Sequence, residues 1–176
     1  MVTPMKNTHF NLALLIVPTI LSVFFAAQVY AETLNGRVVK VADGDTVTVL
    51  DASRQQHKIR LMGIDAPEKK MSYGNRSKQL LSDLVFNRQV QVEYSKKDKY
   101  GRTVGKIIVG GVDANLAQLK AGMAWHYKQY QREQTVEDRD LYARAEEDAR
   151  AYKRGLWRDA DPVPPWDWRK QQKNKD

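Results

Sequence analysis

The sequence predicts an α+β domain in which a small twisted barrel or curled sheet carries amphipathic helices. Two features predict it. Three runs rich in β-branched residues alternate apolar and polar side chains between Leu34 and Leu61, with short polar turns between them. After Asn75, and again from about Val136 to Lys153, the apolar period lengthens from two residues to that of a helix. At 176 residues the chain has room for one ordinary domain and hardly two. With 42% hydrophobic and 28% charged residues it is not a disordered polar chain. It has no Cys, which excludes a disulfide scaffold, a thiolate zinc site and a cysteine nucleophile.

Residues 1–31 read as a leader rather than as part of the fold. Lys6 precedes an apolar run from Leu12 to Ala27, and Val29-Tyr-Ala31 places small residues at the −3 and −1 positions before Glu32. That is the pattern of a secretory signal, cleaved after Ala31. The alternative is a membrane anchor, but the run is shorter than the ~20 residues a spanning helix needs, and Pro18 interrupts it. Export to the periplasm or the medium is therefore expected, with membrane attachment only if the leader stays uncleaved. The rest divides into a domain over 32–168 and a basic, frayed tail over 169–176.

Within the domain, Gly36-Arg-Val-Val-Lys-Val-Ala and Asp45-Thr-Val-Thr-Val-Leu form two strands joined by a turn at Asp43-Gly44. A polar loop over 51–56 leads to a third strand beginning His57-Lys-Ile-Arg-Leu-Met. The segment 75–85 turns Leu80, Leu81, Leu84 and Val85 to one helical face. Gln89–Tyr94 and Val104–Val109 form a second strand pair. A short helix runs from about Asn115 to Ala121 with Gly122 as its stop. The last helix spans about 136–153, with Leu141, Ala145, Ala149 and Tyr152 as its inner stripe and Gly155 at its end.

Three charged clusters flank strand ends: Asp43-Gly44-Asp45-Thr46, Arg60-Leu-Met-Gly-Ile-Asp65-Ala-Pro67-Glu68, and Asp98-Lys-Tyr-Gly101-Arg102. Asp45, Asp65 and Glu68 are hard oxygen donors, suited to Ca²⁺ or Mg²⁺ rather than zinc. His9 lies in the leader, and His57 and His126 are isolated. Arg60 and Arg102 offer planar forks that match phosphate oxygens in pairs. Phosphodiester hydrolysis needs these parts: a cation, guanidinium donors for developing charge, and a carboxylate to orient or deprotonate water. Taken singly, each cluster also has an ordinary reading as a turn, a solvent-facing strand Arg, a proline-fixed loop or a basic hairpin. Two other patterns fail. Gly101-Arg-Thr-Val-Gly105-Lys106 is one residue too short for a phosphate loop and ends in Ile107, and the sequon Asn75-Arg-Ser77 falls inside a predicted helix. The formal net charge of +8 favours polyanionic partners without selecting one.

In this order and spacing the three clusters resemble the staphylococcal nuclease family, from roughly Asn35 to Trp168; Asn115-Leu, Gly122-Met-Ala and Gly155-Leu-Trp157 also fit the family pattern. The resemblance implies a five-stranded OB-fold barrel with three helices. It also implies Ca²⁺-dependent hydrolysis of DNA and RNA to products with 3′-phosphate ends. No long apolar surface stripe asks for a partner, so a monomer with no small-molecule cofactor is expected. Asp45, Asp65 and the Ala66 carbonyl would hold Ca²⁺; Glu68 would act on the attacking water; Arg60 and Arg102 would bind the phosphate. Ala66 departs from the Thr of the family's best-known member, but a backbone carbonyl needs no hydroxyl. Tyr127 and Tyr130, near Trp125 and His126, could supply a stacking surface or simply pack under the last helix, and Trp125 is expected in the core. The competing reading is a catalytically inactive nucleic-acid-binding module on the same barrel. A pure binder gains nothing from three carboxylates facing phosphate unless a cation lies between them.

Overall fold

The computed structural model describes residues 32–174; the leader expected over 1–31 lies outside the described residues. The first strand, β1 (Glu32–Val41), is long enough to serve two neighbours. Its first half pairs with β5 (Gln89–Lys97), and its second half pairs with β2 (Thr46–Asp51) through a bulge between Val38 and Lys40. Such a bulge bends and twists a strand, which is what curls a sheet toward closure. β2 pairs with β3 (Gln56–Leu61), and β5 with β6 (Thr103–Val109), all antiparallel. Closure comes from a parallel contact of β3 with β6, Ile59 opposite Thr103 and Leu61 opposite Gly105. The result is a closed barrel of five strands, as expected.

Alternation makes the barrel interior. Along β6, Thr103, Gly105, Ile107 and Val109 are buried and the residues between them are less so. Val38, Val47, Val49, Ile59 and Val92 fill the same core. Helix α1 (Gly74–Val85) closes one side with Leu81 and Val85, and α2 (Ala114–Lys120) does so with Leu119. Asp113 caps α2 by accepting from the Leu116 N–H at 3.0 Å. Gly122 follows α2 in the left-handed region at φ 64°, as its predicted role as a stop requires.

Helix α3 (Val136–Ala151) lies where expected, but its inner face is rotated from the predicted stripe. Tyr142, Ala145, Glu146 and Ala149 are buried, whereas Leu141 and Tyr152 are 49% and 70% exposed. Polar partners explain the rotation: the Tyr142 hydroxyl donates to Asp113 at 2.8 Å, and Glu146 accepts the His126 N–H at 3.0 Å. Glu146 also faces Lys128 and Arg150. A second, aromatic core of Trp125, Trp157, Ala149 and Leu156 packs beneath α3, so Trp125 is a core residue.

The helix count and the tail also differ from expectation. A fourth helix, α4 (Pro165–Lys173), runs through the boundary drawn after Trp168, so Arg169–Lys173 are helical. Pro164 and Pro165 set its entry, and Pro is well tolerated in a first helical turn. Among the described residues, no helix is long and apolar enough to cross a membrane.

Candidate active site

The site is assembled by three turns at one end of the barrel. In the first, between β1 and β2, the Asp43 carboxylate accepts the Asp45 N–H at 3.1 Å and fixes the turn. Gly44 is wedged between α1 and Ala66: a Cβ there would lie 1.9 Å from Ser77 Oγ and 2.8 Å from Ala66 Cβ. The buried Gln118 amide clamps the same turn, donating to the Gly44 carbonyl at 2.6 Å and the Ser77 carbonyl at 3.0 Å. Gly44→Ala is therefore expected to destabilise the fold by about 1–3 kcal/mol through overpacking, read as a lower urea midpoint.

The second turn follows β3. Met62-Gly63 reverses the chain into β4 (Ile64–Asp65), which pairs with β8 (Trp125–His126) so that Asp65 lies opposite Trp125. Between them comes β7 (Val112–Asp113), a short partner of β6. Arg60 bridges the two buried aspartates, with Nη1 3.1 Å from Asp45 Oδ2 and Nη2 2.8 Å from Asp65 Oδ1. Asp45 Oδ2 also accepts the Ala66 N–H at 2.7 Å, and Oδ1 accepts from the Thr46 hydroxyl. Burial pushes the Asp45 carboxyl up to about 7, against the pull of Arg60 and helped by the neighbouring Asp43 and Asp65. Two buried carboxylates side by side require positive charge between them.

The third turn joins β5 to β6. Asp98 organises it, accepting from the backbone N–H groups of Tyr100 and Arg102 and from Arg102 Nε at 2.7 Å. Burial works to raise the Asp98 carboxyl, but the hydrogen bonds from Arg102 and from the backbone together outweigh it and hold the group below its usual range. The Arg102 guanidinium lies 5.5 Å from the ring centre of Tyr100, an exposed residue at the rim.

All three turns open on one cleft of about 680 Å³, lined by Asp45, Asp65, Ala66, Glu68, Arg60 and Arg102. Glu68 sits at the mouth with its side chain 35% exposed. The cleft thus brings together every residue singled out in the sequence for chemistry. Tyr100, Tyr127 and Tyr130 line it as well, beside Lys96, Lys97 and Lys99. Asp43 serves the turn. Asn115, part of the family pattern, is buried and structural, accepting from the Ile107 N–H and donating to the Met62 and Gly105 carbonyls.

One further site residue lies outside the three sequence clusters. Arg169 of α4 reaches into the cleft, with Nη2 2.7 Å from Asp65 Oδ2 and Nη1 2.9 Å from Glu68 Oε1. Burial works against its charge, but hydrogen bonds to Asp65 and Glu68 outweigh that and raise the guanidinium above its ordinary value. The available signal was Trp166, one helical turn earlier, which stacks on Tyr127 with 5.3 Å between ring centres and 2° between planes.

The donor set fits a hard divalent cation. Asp45 and Asp65 are acidic oxygen donors held together, Ala66 lines the same cleft with its N–H on Asp45, and guanidinium groups already stand against these carboxylates as counter-cations. Among the described residues, no three His, Cys, Asp or Glu side chains form a metal cage by themselves. A cation here would therefore rely on two aspartates, backbone and water.

A family model described as "Staphylococcal nuclease homologue" matches residues 58–159. An uncharacterized endonuclease of Escherichia coli O157:H7 is 43% identical over 154 residues, covering 87% of this chain and 95% of that protein. An uncharacterized endonuclease of Haemophilus influenzae is 43% identical over 137 residues, covering 78% and 74%. A micrococcal nuclease of Shigella flexneri is 39% identical over 149 residues, covering 80% and 83%.

Proposed function

Since this chain belongs to the staphylococcal nuclease family, we propose that it is an exported, monomeric, Ca²⁺-dependent nuclease that hydrolyses DNA and RNA to products with 3′-phosphate ends. The coarse activity, that of a nuclease hydrolase acting on nucleic acid, rests on the family and on relatives named endonuclease and micrococcal nuclease. The observation that supports the finer reading is the meeting of Asp45, Asp65, Glu68, Arg60 and Arg102 in one cleft.

In this reading Asp45, Asp65 and the Ala66 carbonyl hold Ca²⁺, which when bound supplies Lewis-acid polarisation of the phosphoryl oxygen. Glu68, at the solvent side of the cleft, accepts a proton from water as the water oxygen bonds to phosphorus. The bond from phosphorus to the 5′ oxygen breaks, and that oxygen leaves as a hydroxyl after taking up a proton. The phosphate stays on the 3′ oxygen. Arg102, tethered by Asp98 at the rim, donates to the non-bridging oxygens. Arg60 keeps both aspartates aligned and turns its remaining N–H groups to the phosphate. The lysines and tyrosines around the rim suit a flexible strand, with phosphates on the first and bases against the second.

End-group chemistry tests this reading. Digestion of 5′-fluorescein-labelled DNA and RNA oligonucleotides with Ca²⁺ is expected to give fragments whose gel mobility drops after phosphatase treatment. Fragments indifferent to phosphatase would place the break on the other side of phosphorus and overturn the assignment.

A further inference from the structure

Helix α4 lies beyond residue 159, where the family match ends, and it delivers a positive charge onto two acids of the cleft. Trp166 and Arg169 are three residues apart and share a helix face. Trp166 stacks on Tyr127 and meets Trp125 edge-on at 5.6 Å, while Arg169 spans Asp65 and Glu68. Of the nine residues of α4 only Pro165 is buried. Lys170, the next residue, has a side chain 76% exposed and, among the described residues, pairs with Asp167 alone.

Both oxygens of Asp65 are engaged by guanidinium N–H groups. Oδ1 accepts from Arg60 at 2.8 Å and from Arg169 at 3.3 Å, and Oδ2 accepts from Arg169 at 2.7 Å. The charges point the same way. With Asp45 ionised, Asp45, Asp65 and Glu68 against Arg60 and Arg169 leave one negative charge; without Arg169 they leave two, matching a dication. We propose that Arg169 is a tethered counter-cation, seated by α4 on Asp65 and Glu68, which a divalent cation must dislodge in order to bind. The C-terminal helix thereby sets the metal affinity of the site and keeps Glu68 engaged until metal arrives. By linkage, whatever loosens α4 tightens metal, and metal loosens α4 to the same extent. The inference rests on the reading of Asp45 and Asp65 as the cation site.

Calorimetric titration of Ca²⁺ into the purified full-length protein, without nucleic acid, tests it. Arg169→Ala is expected to bind Ca²⁺ about tenfold or more tightly than wild type. Trp166→Ala, which touches no carboxylate, should tighten binding in the same direction, with circular dichroism checking the fold. Lys170→Ala removes the same charge from an exposed position and should stay within about twofold of wild type. Asp65→Asn should lose binding in either background. Unchanged or weaker affinity in Arg169→Ala, with binding still lost in Asp65→Asn, would overturn the counter-cation and leave the cation site standing. Undiminished binding in Asp65→Asn would overturn both.

Discussion

Replacing Glu68 by Gln is expected to lower kcat by about 10²–10⁴-fold, the usual worth of a positioned general base, with little change in stability. The amide keeps the shape of the side chain and can still accept from Arg169, but it cannot take a proton from water. Glu68 is partly exposed at the cleft mouth, so its replacement strands no buried charge. Initial rates on a plasmid substrate, beside urea unfolding of the same preparations, separate the two effects. A variant with wild-type turnover would remove Glu68 from the chemistry.

Arg60→Ala should damage both properties at once. Its guanidinium lies between Asp45 and Asp65, whose side chains are 9% and 1% exposed, and also donates to the Leu61 carbonyl at 3.0 Å. Removing it leaves the buried Asp45 carboxylate without its guanidinium and Asp65 held by Arg169 alone, a loss of about 3–5 kcal/mol by analogy with broken buried ion pairs. Turnover should fall by about 10²–10³-fold or more, as on removing one transition-state donor. Arg60→Lys keeps the charge but not the fork that reaches both aspartates, so it should restore stability more than rate. Equal recovery of both would mean that Arg60 acts only as a counter-charge.

Much of the fold was legible because short-range patterns dictate it. The alternation in Thr46–Asp51 and Thr103–Val109 marks strands with one face inward, and the Asp43-Gly44 turn is local chemistry. Closure was not legible, since the parallel contact of Ile59 with Thr103 joins segments far apart in the chain. The same contact brings the Arg102 turn to the Arg60 strand, so the site's members were readable while their meeting rested on resemblance. The face of α3 was misread because Glu146, an outward residue by hydropathy, is buried among His126, Lys128 and Arg150. Helix α4 escaped for a related reason. Its sequence is mostly polar, and what seats it is one indole on Tyr127 and one guanidinium on Asp65 and Glu68.

Cation-dependent cleavage most directly separates an enzyme from a binding module on the same barrel. Supercoiled plasmid incubated with the purified protein should be nicked and then degraded in Ca²⁺, and excess chelator should stop the reaction. Plasmid that is bound and retarded on a gel, yet stays intact with Ca²⁺, with Mg²⁺ and with neither, would contradict the nuclease and leave the buried pair Asp45 and Asp65 with a structural role alone.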